Sequence, residues 1–436
     1  MSKQKSLPTG QLKRLSKFGG LVSNVLGNMA IDGVKELSKG RLPALKDLML
    51  TPQNIANLAE RLAQLRGAAM KMGQVLSMDA GDLLPPELAE VLAMLRDNAY
   101  VLPDDQLNTA LTEYLGEHWE SLFATFEKTP FAAASIGQVH KAILHSGEIV
   151  AVKLQYPGVA KSIHSDVDNM GVLIKMSGLV PENLDMTRVL LEVKMQLIRE
   201  SDYTIEAAFL KRYQELLLTS DDFVIPRIFP ELSNSHILTM SLESGESIDT
   251  ITSLPECERK KVCESLVHLL FREMFEFRLM QTDPNFANFM YDESRQKIVL
   301  LDFGATREIS EDISEQYKLV AKAILNNDMQ RVVEIASELG FFIQDFPASF
   351  RKQVVDIMQI AAEPMQHDGD FDFGATNVIT KLREEAMPLL SQRKYMGTPP
   401  GDALFMHRKI GGVFLLMMRA KVKLNLRAIL EHYIQN

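Results

Sequence analysis

The segment Gln281-Thr-Asp-Pro-Asn-Phe-Ala-Asn288 and the triplet Asp302-Phe-Gly304 decide the fold of this chain. The apolar run Ile298-Val-Leu-Leu301 leads directly into the triplet, which predicts a buried strand that ends at its carboxylate. Hard cations such as Mg²⁺ prefer oxygen ligands, and asparagine and aspartate side chains supply them. Asn288 and Asp302, fourteen residues apart, are therefore candidate metal ligands.

An aspartate, four residues, an asparagine and then a strand ending in Asp-Phe-Gly is the arrangement of the catalytic loop and metal site of protein kinases, which this region resembles. In that arrangement Asp283 faces the incoming hydroxyl or water. Either piece alone is also explained as a simple turn, with Asp302 capping it. The two pieces at this spacing favour the kinase-like interpretation.

A strand lysine lies upstream, at the end of Val150-Ala-Val-Lys153, where kinases carry the lysine that binds phosphates. A solvated lysine on an edge strand is the alternative interpretation. Two β-rich runs, 136–143 and 149–154, are separated by His145-Ser-Gly-Glu148, which is typical of a hairpin turn.

An alanine-rich segment precedes this hairpin, in the place of the kinase phosphate loop G-x-G-x-x-G-x-V. Alanine stands at the first two glycine positions, whereas the last glycine and the valine match. Alanine adds a Cβ atom and stiffens the backbone, so the loop should hold nucleotide differently and need not favour γ-phosphoryl transfer to a protein. The candidate nucleotide-binding residues of this loop are Ala132, Ala133, Ala134, Ser135, Gly137 and Val139.

A single long helix is predicted from about 187 to 218, and it carries Glu200, Asp202 and Glu206. We expect it to be the first long helix after Lys153. Glu206 would then take the position of the kinase glutamate that orients the strand lysine. Asp202 and Glu206, four residues apart, are expected to share a helix face. Solvated helix acids are the alternative interpretation.

Three residues near the end of the strand-like run 236–241 are expected to form the hinge that contacts adenine: Met240, Leu242 and Glu243. An ordinary core and turn is the alternative. After Gly245 the chain is predicted to be mostly helical. Before the kinase-like region, a predicted helix over about 51–77 carries Lys71-Met-Gly-Gln74, whose lysine and glutamine project together.

Together these motifs resemble the UbiB family of atypical kinase-like proteins, also called AarF or ADCK. The resemblance covers about residues 10–425 and includes Arg408-Lys-Ile-Gly-Gly412. Two segments are similar to the branch that serves coenzyme Q biosynthesis, namely Gln281-Thr-Asp-Pro-Asn285 and Leu301-Asp-Phe-Gly-Ala-Thr-Arg307.

The resemblance implies an α+β, protein-kinase-like bilobal fold with a small β-rich N-lobe, a helical C-lobe and an N-terminal helical extension folded over the active site. The expected domains are a basic amphipathic segment at 1–50, the extension at 51–130, the N-lobe at 131–243 and the C-lobe at 244–436.

The resemblance also implies the roles of single residues and the cofactors, ATP and Mg²⁺. Lys153, paired with Glu206, would orient the nucleotide phosphates. Asp283 would be the catalytic base, and Asn288 and Asp302 would hold Mg²⁺.

The extension is the feature that makes this family unorthodox. Lys71 and Gln74 would reach towards Glu200 and Asp202 and occlude the site. The implied function is a Mg²⁺-dependent ATPase that supports ubiquinone biosynthesis by handling isoprenoid precursors or the biosynthetic enzymes. A protein or small-molecule kinase and a nucleotide-gated scaffold without turnover stay open as alternatives.

The charge and the composition limit which partners and which cellular location are expected. The 436 residues carry a net charge of −10, yet the first 50 hold nine Lys and Arg against three Asp and Glu. An acidic body argues against nucleic acid. A basic amphipathic segment around 13–29 is either a helix packed on the body with solvated lysines or a surface helix that contacts anionic lipid. We expect peripheral membrane contact through this segment and an apolar patch near Phe414 and Met418. Cys257 and Cys263 form neither a disulfide framework nor a zinc site. The short Lys-rich leader favours a bacterial cytoplasm over mitochondria.

Asp372-Phe-Gly-Ala-Thr376 repeats the string that begins at Asp302. It follows an acidic, turn-like stretch rather than an apolar strand, and no asparagine lies fourteen residues before it. We therefore expect no metal role for Asp372.

Overall fold

The computed structural model describes residues 67, 71, 101–176, 186–283, 285–343 and 345–435. The chain divides into two compact units, Met1–Lys211 with Pro226–Leu242 and Arg212–Ile225 with Glu243–Asn436. The strands are β1 Thr125–Phe126, β2 Ala132–Ala133, β3 Gly137–Ile143, β4 Ile149–Gln155, β5 Phe223–Val224, β6 Ile237–Ser241, β7 Glu246–Ser247, β8 Leu279–Gln281, β9 Phe289–Asp292, β10 Lys297–Leu300, β11 Thr306–Glu308, β12 Phe371–Asp372 and β13 Lys423–Leu424.

The α-helices are α1 Asp104–Leu115, α2 Val159–Met176, α3 Met186–Glu200, α4 Tyr203–Leu216, α5 Glu256–Arg272, α6 Glu311–Leu325, α7 Met329–Glu338, α8 Ala348–Gln366, α9 Val378–Ala386, α10 Gly401–Ala420 and α11 Leu426–Ile434. A π-helical turn, Glu273–Phe277, extends α5.

The first unit is built on an antiparallel sheet in the order β1-β3-β4-β6, with β2 paired to β3. The predicted hairpin is confirmed, since β3 and β4 pair over their whole length from Gly137↔Gln155 to Ile143↔Ile149. Alternate residues Val150, Val152 and Leu154 of β4 are fully buried in a core that α1 also enters. This alternation leaves the opposite face of β4 for Lys153.

The single helix predicted over 187–218 is wrong, because the chain forms α3 and α4 with a break at 201–202. Asp202 caps the N-terminus of α4. Its carboxylate accepts hydrogen bonds from the backbone N–H and the hydroxyl of Thr204, as an N-cap residue does. Asp202 is thus a cap and not a member of a helix face shared with Glu206. The expectation that Glu206 lies on the first helix after Lys153 is also wrong, since α2 and α3 come before α4.

The second unit contains a sheet in the order β5-β10-β9-β7, a small β8–β11 ladder and the helices α5 to α11. The predicted strand over 298–301 is observed as β10, whose Ile298, Val299 and Leu300 are buried. The strand expected over 223–228 is shorter: β5 ends at Val224, and Ile228, in the first unit, forms an isolated bridge with Met240.

Several predicted segments lie outside the described residues, namely the amphipathic stretch at 13–29 and most of the helix at 51–77. Of the latter, Gly67 and Lys71 are described, and both are helical. Within the part of the chain that the structure describes, no helix has both the length and the apolarity needed to span a bilayer.

Candidate functional site

A buried lysine–glutamate pair lies in the first unit. Lys153, on β4, donates to both carboxylate oxygens of Glu206, on α4, at 2.8 Å each. Lys153 is 8% exposed and Glu206 4% exposed, and the Lys153 ammonium lies 5.2 Å from the centre of the Tyr203 ring. A bidentate bond of this kind fixes the ammonium group more firmly than a solvated pair would. Lys153 is therefore not the solvated edge lysine of the alternative interpretation.

A second ion pair ties the extension to α3 in the same unit. Lys71 is 4% exposed and its ammonium group pairs with the carboxylate of Glu200. The other carboxylate oxygen of Glu200 accepts a hydrogen bond of 2.8 Å from the hydroxyl of Ser135, in the alanine-rich loop. Lys71, Glu200 and Ser135 thus form one connected group. Gln74 lies outside the described residues.

Gly67, one helical turn before Lys71, contacts the same loop. A Cβ atom at Gly67 would lie 2.7 Å from Cγ2 of Ile136 and 3.3 Å from the carbonyl oxygen of Ser135. Only a residue without a side chain allows this approach. Gly67 therefore packs directly on the alanine-rich loop.

The alanine-rich loop is a tight turn between β2 and β3. Ala132 and Ala133 pair with Val139 and Gln138, and the N–H of Ala134 donates to the carbonyl of Gly137 at 2.9 Å. The last glycine of the pattern is required by packing, because a Cβ atom at Gly137 would lie 2.3 Å from the Leu154 carbonyl oxygen.

The predicted hinge residues divide between strand and turn. Met240 lies within β6, is 8% exposed and pairs with Ala151. The N–H of Leu242 donates to the carbonyl of Ile149 at 3.1 Å, which continues this ladder by one residue. Glu243, in the second unit, accepts from both guanidinium nitrogens of Arg295 at 3.1 Å.

In the second unit the β9–β10 hairpin brings the two candidate metal ligands to one end of a sheet. The pair Leu300↔Phe289 is followed by a hydrogen bond of 3.0 Å from the N–H of Leu301 to the carbonyl of Asn288. Asn288 therefore lies opposite the residue that immediately precedes Asp302. The Asp302 carboxylate accepts from the N–H of Gly304 at 2.9 Å, which sets the turn.

Asp283 is held from two sides. One of its carboxylate oxygens accepts from the guanidinium of Arg408, on α10, at 3.1 Å, and the other accepts from the side-chain amide of Asn288 at 3.2 Å. The structure thus brings Asp283 and Asn288 into direct contact. Arg408 was missed as a site residue by sequence reasoning, although the motif that contains it is part of the resemblance.

Gln281 joins the catalytic loop to the Asp-Phe-Gly segment. Its side-chain N–H donates to the backbone carbonyl of Asp302 at 2.6 Å, and β8 pairs Gln281 with Thr306 of β11. Lys409 donates to the Gln281 side-chain oxygen at 3.1 Å. A buried glutamate, Glu273, lies behind them; burial raises its pKa, and Lys409 acts in the opposite direction.

The donor set fits Mg²⁺ bound together with phosphates. The side-chain amide nitrogen of Asn288 is turned to Asp283, so the oxygen of Asn288 is the end of that amide which can meet a cation. Mg²⁺ is usually held by one or two carboxylates together with substrate phosphates and water, and not by an all-protein cage. Accordingly, no group of three or more His, Cys, Asp or Glu side chains among the described residues could hold a metal.

The chain is similar to several known proteins. The ABC1 atypical kinase-like domain family matches residues 94–336. The chain is 37% identical over 432 residues to the atypical kinase COQ8B, mitochondrial, of Rattus norvegicus, covering 99% of this chain and 81% of that protein. It is 36% identical over 419 residues to the atypical kinase COQ8, mitochondrial, of Saccharomyces cerevisiae, covering 96% and 83%.

Among solved structures, the chain is similar to Rv3197 of Mycobacterium tuberculosis, determined in complex with erythromycin. The TM-score is 0.62 at 24% identity, and the likeness covers 86% of this chain and 93% of that chain. This likeness concerns the fold. The family match and the architecture confirm the predicted α+β kinase-like fold. The relatives carry mitochondrial names, so they give no support to the expectation of a bacterial cytoplasm.

Proposed function

The chain belongs to the ABC1 atypical kinase-like family, and on that premise we propose that it is an unorthodox Mg²⁺-dependent ATPase that supports ubiquinone biosynthesis. The observation that carries the proposal is the pair of Lys153 and Glu206. A buried ammonium held by both oxygens of one carboxylate is preorganised to bind an anion, and phosphoryl transfer depends mainly on such positioning and charge neutralisation.

Other residues of the chain are assigned to the phosphates, the metal ion and the rest of the nucleotide. Lys153 binds phosphate oxygens, while Glu206 keeps the ammonium in place. Asn288 and Asp302 would hold Mg²⁺, and the bound ion would supply charge neutralisation at the phosphates. The loop over 132–139 and the hinge formed by Met240, Leu242 and Glu243 contact the rest of the nucleotide.

The extension distinguishes this protein from kinases that act on other proteins. Lys71 pairs with Glu200, which also binds Ser135 of the alanine-rich loop, and Gly67 lies against Ser135 and Ile136. In this proposal a substrate chain would have to displace these two residues to reach the loop. We assign Lys71, Gln74, Glu200 and Asp202 to this cover. The proposed domains are the basic segment 1–50, the extension 51–130 and the lobes 131–243 and 244–436.

The environment of Asp283 favours hydrolysis over transfer to a protein hydroxyl. Both carboxylate oxygens already accept hydrogen bonds, from Arg408 and Asn288. A general base must reach the proton that it removes, and a small water reaches a crowded carboxylate more easily than a protein side chain does. Asp283 therefore orients water and Asn288 in this proposal.

A nucleotide-gated scaffold without turnover is the second candidate, and the cover formed by Gly67 and Lys71 favours it. In both cases the proposed partners are ATP or ADP, an isoprenoid quinone precursor or anionic membrane surface, and enzymes of ubiquinone biosynthesis. The proposed membrane contact is peripheral. The apolar run 410–418 lies in α10 and is partly exposed, with Leu415 51% accessible.

Phosphate release with and without anionic liposomes and a phenolic headgroup mimic tests the proposal. We expect wild type to hydrolyse ATP slowly with Mg²⁺ and faster with the additives, and we expect Lys153→Met to abolish both rates. Lys141→Met is the matched control, because Lys141 lies on the adjacent strand β3 and pairs only at 3.6 Å with the exposed Glu127.

The outcomes separate the two candidates. Mg²⁺-dependent nucleotide binding in wild type without release of phosphate under any condition would favour the scaffold. Equal rates in Lys153→Met and wild type would contradict the ATPase altogether. Labelled γ-phosphate found on a partner protein, and lost in Asp283→Asn, would establish the kinase alternative instead.

A further inference from the structure

A buried polar cluster lies behind Gln281 in the second unit. It contains Glu273, Tyr213 and Lys409, which are 0%, 0% and 2% exposed. Tyr213 donates to Glu273 at 2.7 Å and accepts from the backbone N–H of Gln281 at 2.8 Å. Glu273 lies in the π-helical turn that extends α5, a kind of distortion that is frequent at functional sites. The proposed ATPase mechanism gives this cluster no role.

Lys409 stands at the centre of the cluster. Its ammonium lies 3.4 Å from a carboxylate oxygen of Glu273 and 3.1 Å from the side-chain oxygen of Gln281. A buried charge is costly unless it is paired, and Glu273 provides the opposite charge. The contact with Glu273 balances the buried charge, and the contact with Gln281 gives an acceptor to a second of the three ammonium N–H groups.

The side-chain amide of Gln281 can adopt two orientations of nearly the same shape. In one orientation, the side-chain N–H group of Gln281 faces the backbone carbonyl oxygen of Asp302. In the other, the side-chain oxygen of Gln281 faces that carbonyl oxygen, and the two oxygens repel each other. An ammonium group has donors and no acceptor. Lys409 can therefore donate to Gln281 only when the side-chain oxygen of Gln281 faces it. In that orientation the side-chain nitrogen of Gln281 lies 2.6 Å from the backbone carbonyl oxygen of Asp302.

The hydrogen bond from Gln281 acts on the backbone of Asp302, which is a candidate metal ligand. The carbonyl of Asp302 belongs to the residue whose carboxylate also accepts from the N–H of Gly304 at 2.9 Å. One bond therefore holds the backbone carbonyl of Asp302, and the other holds its carboxylate. Partners that orient a ligand in this way affect metal affinity although they never touch the metal.

We propose that Lys409 is a positioning residue that fixes the orientation of the Gln281 side-chain amide and, through it, the position of the Mg²⁺ ligand Asp302. The proposal rests on the proposed function, since it assigns Asp302 to Mg²⁺. It makes Lys409 more than a structural counter-charge for Glu273.

A double-mutant cycle tests whether Lys409 acts through Gln281. The readout is the affinity of the full-length protein for ADP, measured calorimetrically against Mg²⁺ concentration, with the unfolding temperature recorded for each variant. We expect Lys409→Met to raise the half-saturating Mg²⁺ concentration about tenfold, in the range typical of lost ligand-orienting partners. Gln281→Met should give a similar shift, and the double variant should be no worse than Gln281→Met. Additive shifts would overturn the inference.

A second pair of variants separates positioning from stability. Lys409→Met leaves Glu273 buried without its counter-charge and should lower the unfolding temperature. Adding Glu273→Gln removes that charge and should restore the unfolding temperature, while the Mg²⁺ requirement stays raised about tenfold. Recovery of both properties in the double variant would show that Lys409 serves stability alone and would overturn the inference.

The same titration distinguishes failure of the inference from failure of the proposed function. A wild type that binds ADP equally well with Mg²⁺ and with chelator would overturn the Mg²⁺ site, and the inference with it. A wild type that needs Mg²⁺, together with an unchanged Lys409→Met variant, would overturn the inference alone.

Discussion

Residues 302–306 and 372–376 have the same sequence, Asp-Phe-Gly-Ala-Thr, and build the same local turn. The N–H of Gly304 donates to the Asp302 carboxylate at 2.9 Å, and the N–H of Gly374 donates to the Asp372 carboxylate at 3.0 Å. The phenylalanine of each string is at most 1% exposed. Five identical residues therefore specify a turn with a buried aromatic anchor, wherever they occur in this chain.

The surroundings of the two aspartates differ completely. Asp302 follows the buried strand β10, opposite Asn288, and its backbone carbonyl accepts from Gln281. Asp372 lies in β12, pairs with β13 and makes a half-exposed ion pair of 3.2 Å with Lys423. The hydrogen bond from Lys423 lowers the pKa of Asp372, which favours the ionised carboxylate paired with this surface lysine. Identical local sequence therefore does not give the two carboxylates the same neighbours.

The largest difference should appear when each aspartate loses its charge. We expect Asp302→Asn to weaken Mg²⁺-dependent ADP binding by at least about a hundredfold, since the effect of losing a ligand should exceed that of losing an orienting partner. Asp372→Asn should change the affinity by less than about twofold, within the range of a lost surface contact. Calorimetric titration at fixed Mg²⁺ measures both. Equal losses would mean that the two regions share the nucleotide site.

The aromatic anchors should behave alike in stability and differently in binding. Phe303 packs 4.8 Å from the Tyr213 ring, and Phe373 packs 5.3 Å from the Phe414 ring. We expect Phe303→Leu and Phe373→Leu each to lower the free energy of unfolding by about 1 kcal/mol in urea titrations. Only Phe303→Leu should also raise the Mg²⁺ requirement for ADP. A raised Mg²⁺ requirement in Phe373→Leu as well would contradict the proposed difference between the two strings.

The smallest effect is expected at the ion pair of the second string. Lys423→Met should change the free energy of unfolding by less than about 0.5 kcal/mol, because half-exposed ion pairs contribute little. Asp372 keeps its bonds from the N–H groups of Gly374 and Ala375. Thermal unfolding at low and high salt checks this, and a loss several times larger would mean that Lys423 anchors the β12–β13 ladder.

The sequence alone predicted the features that depend on neighbours along the chain. The hairpin that carries Lys153 and the buried strand before Asp302 follow from short-range patterns of apolar and turn residues. The break at 201–202 was missed, because a cap residue within a continuous apolar pattern does not show whether the helix ends there. Asp202 followed by Thr204 was the only local signal.

The tertiary structure alone showed that Arg408 binds Asp283 across 125 residues and that Lys409 binds Gln281 across 128. The pairing of Lys153 with Glu206 across 53 residues, by contrast, was already expected from the family resemblance. An isolated arginine or lysine on an amphipathic helix carries no sign of its partner, because the pairing depends on how helices pack and not on spacing within one helix. The pattern of apolar residues therefore predicted the strand that ends at Asp302, and only packing showed what holds the Asp302 backbone in place.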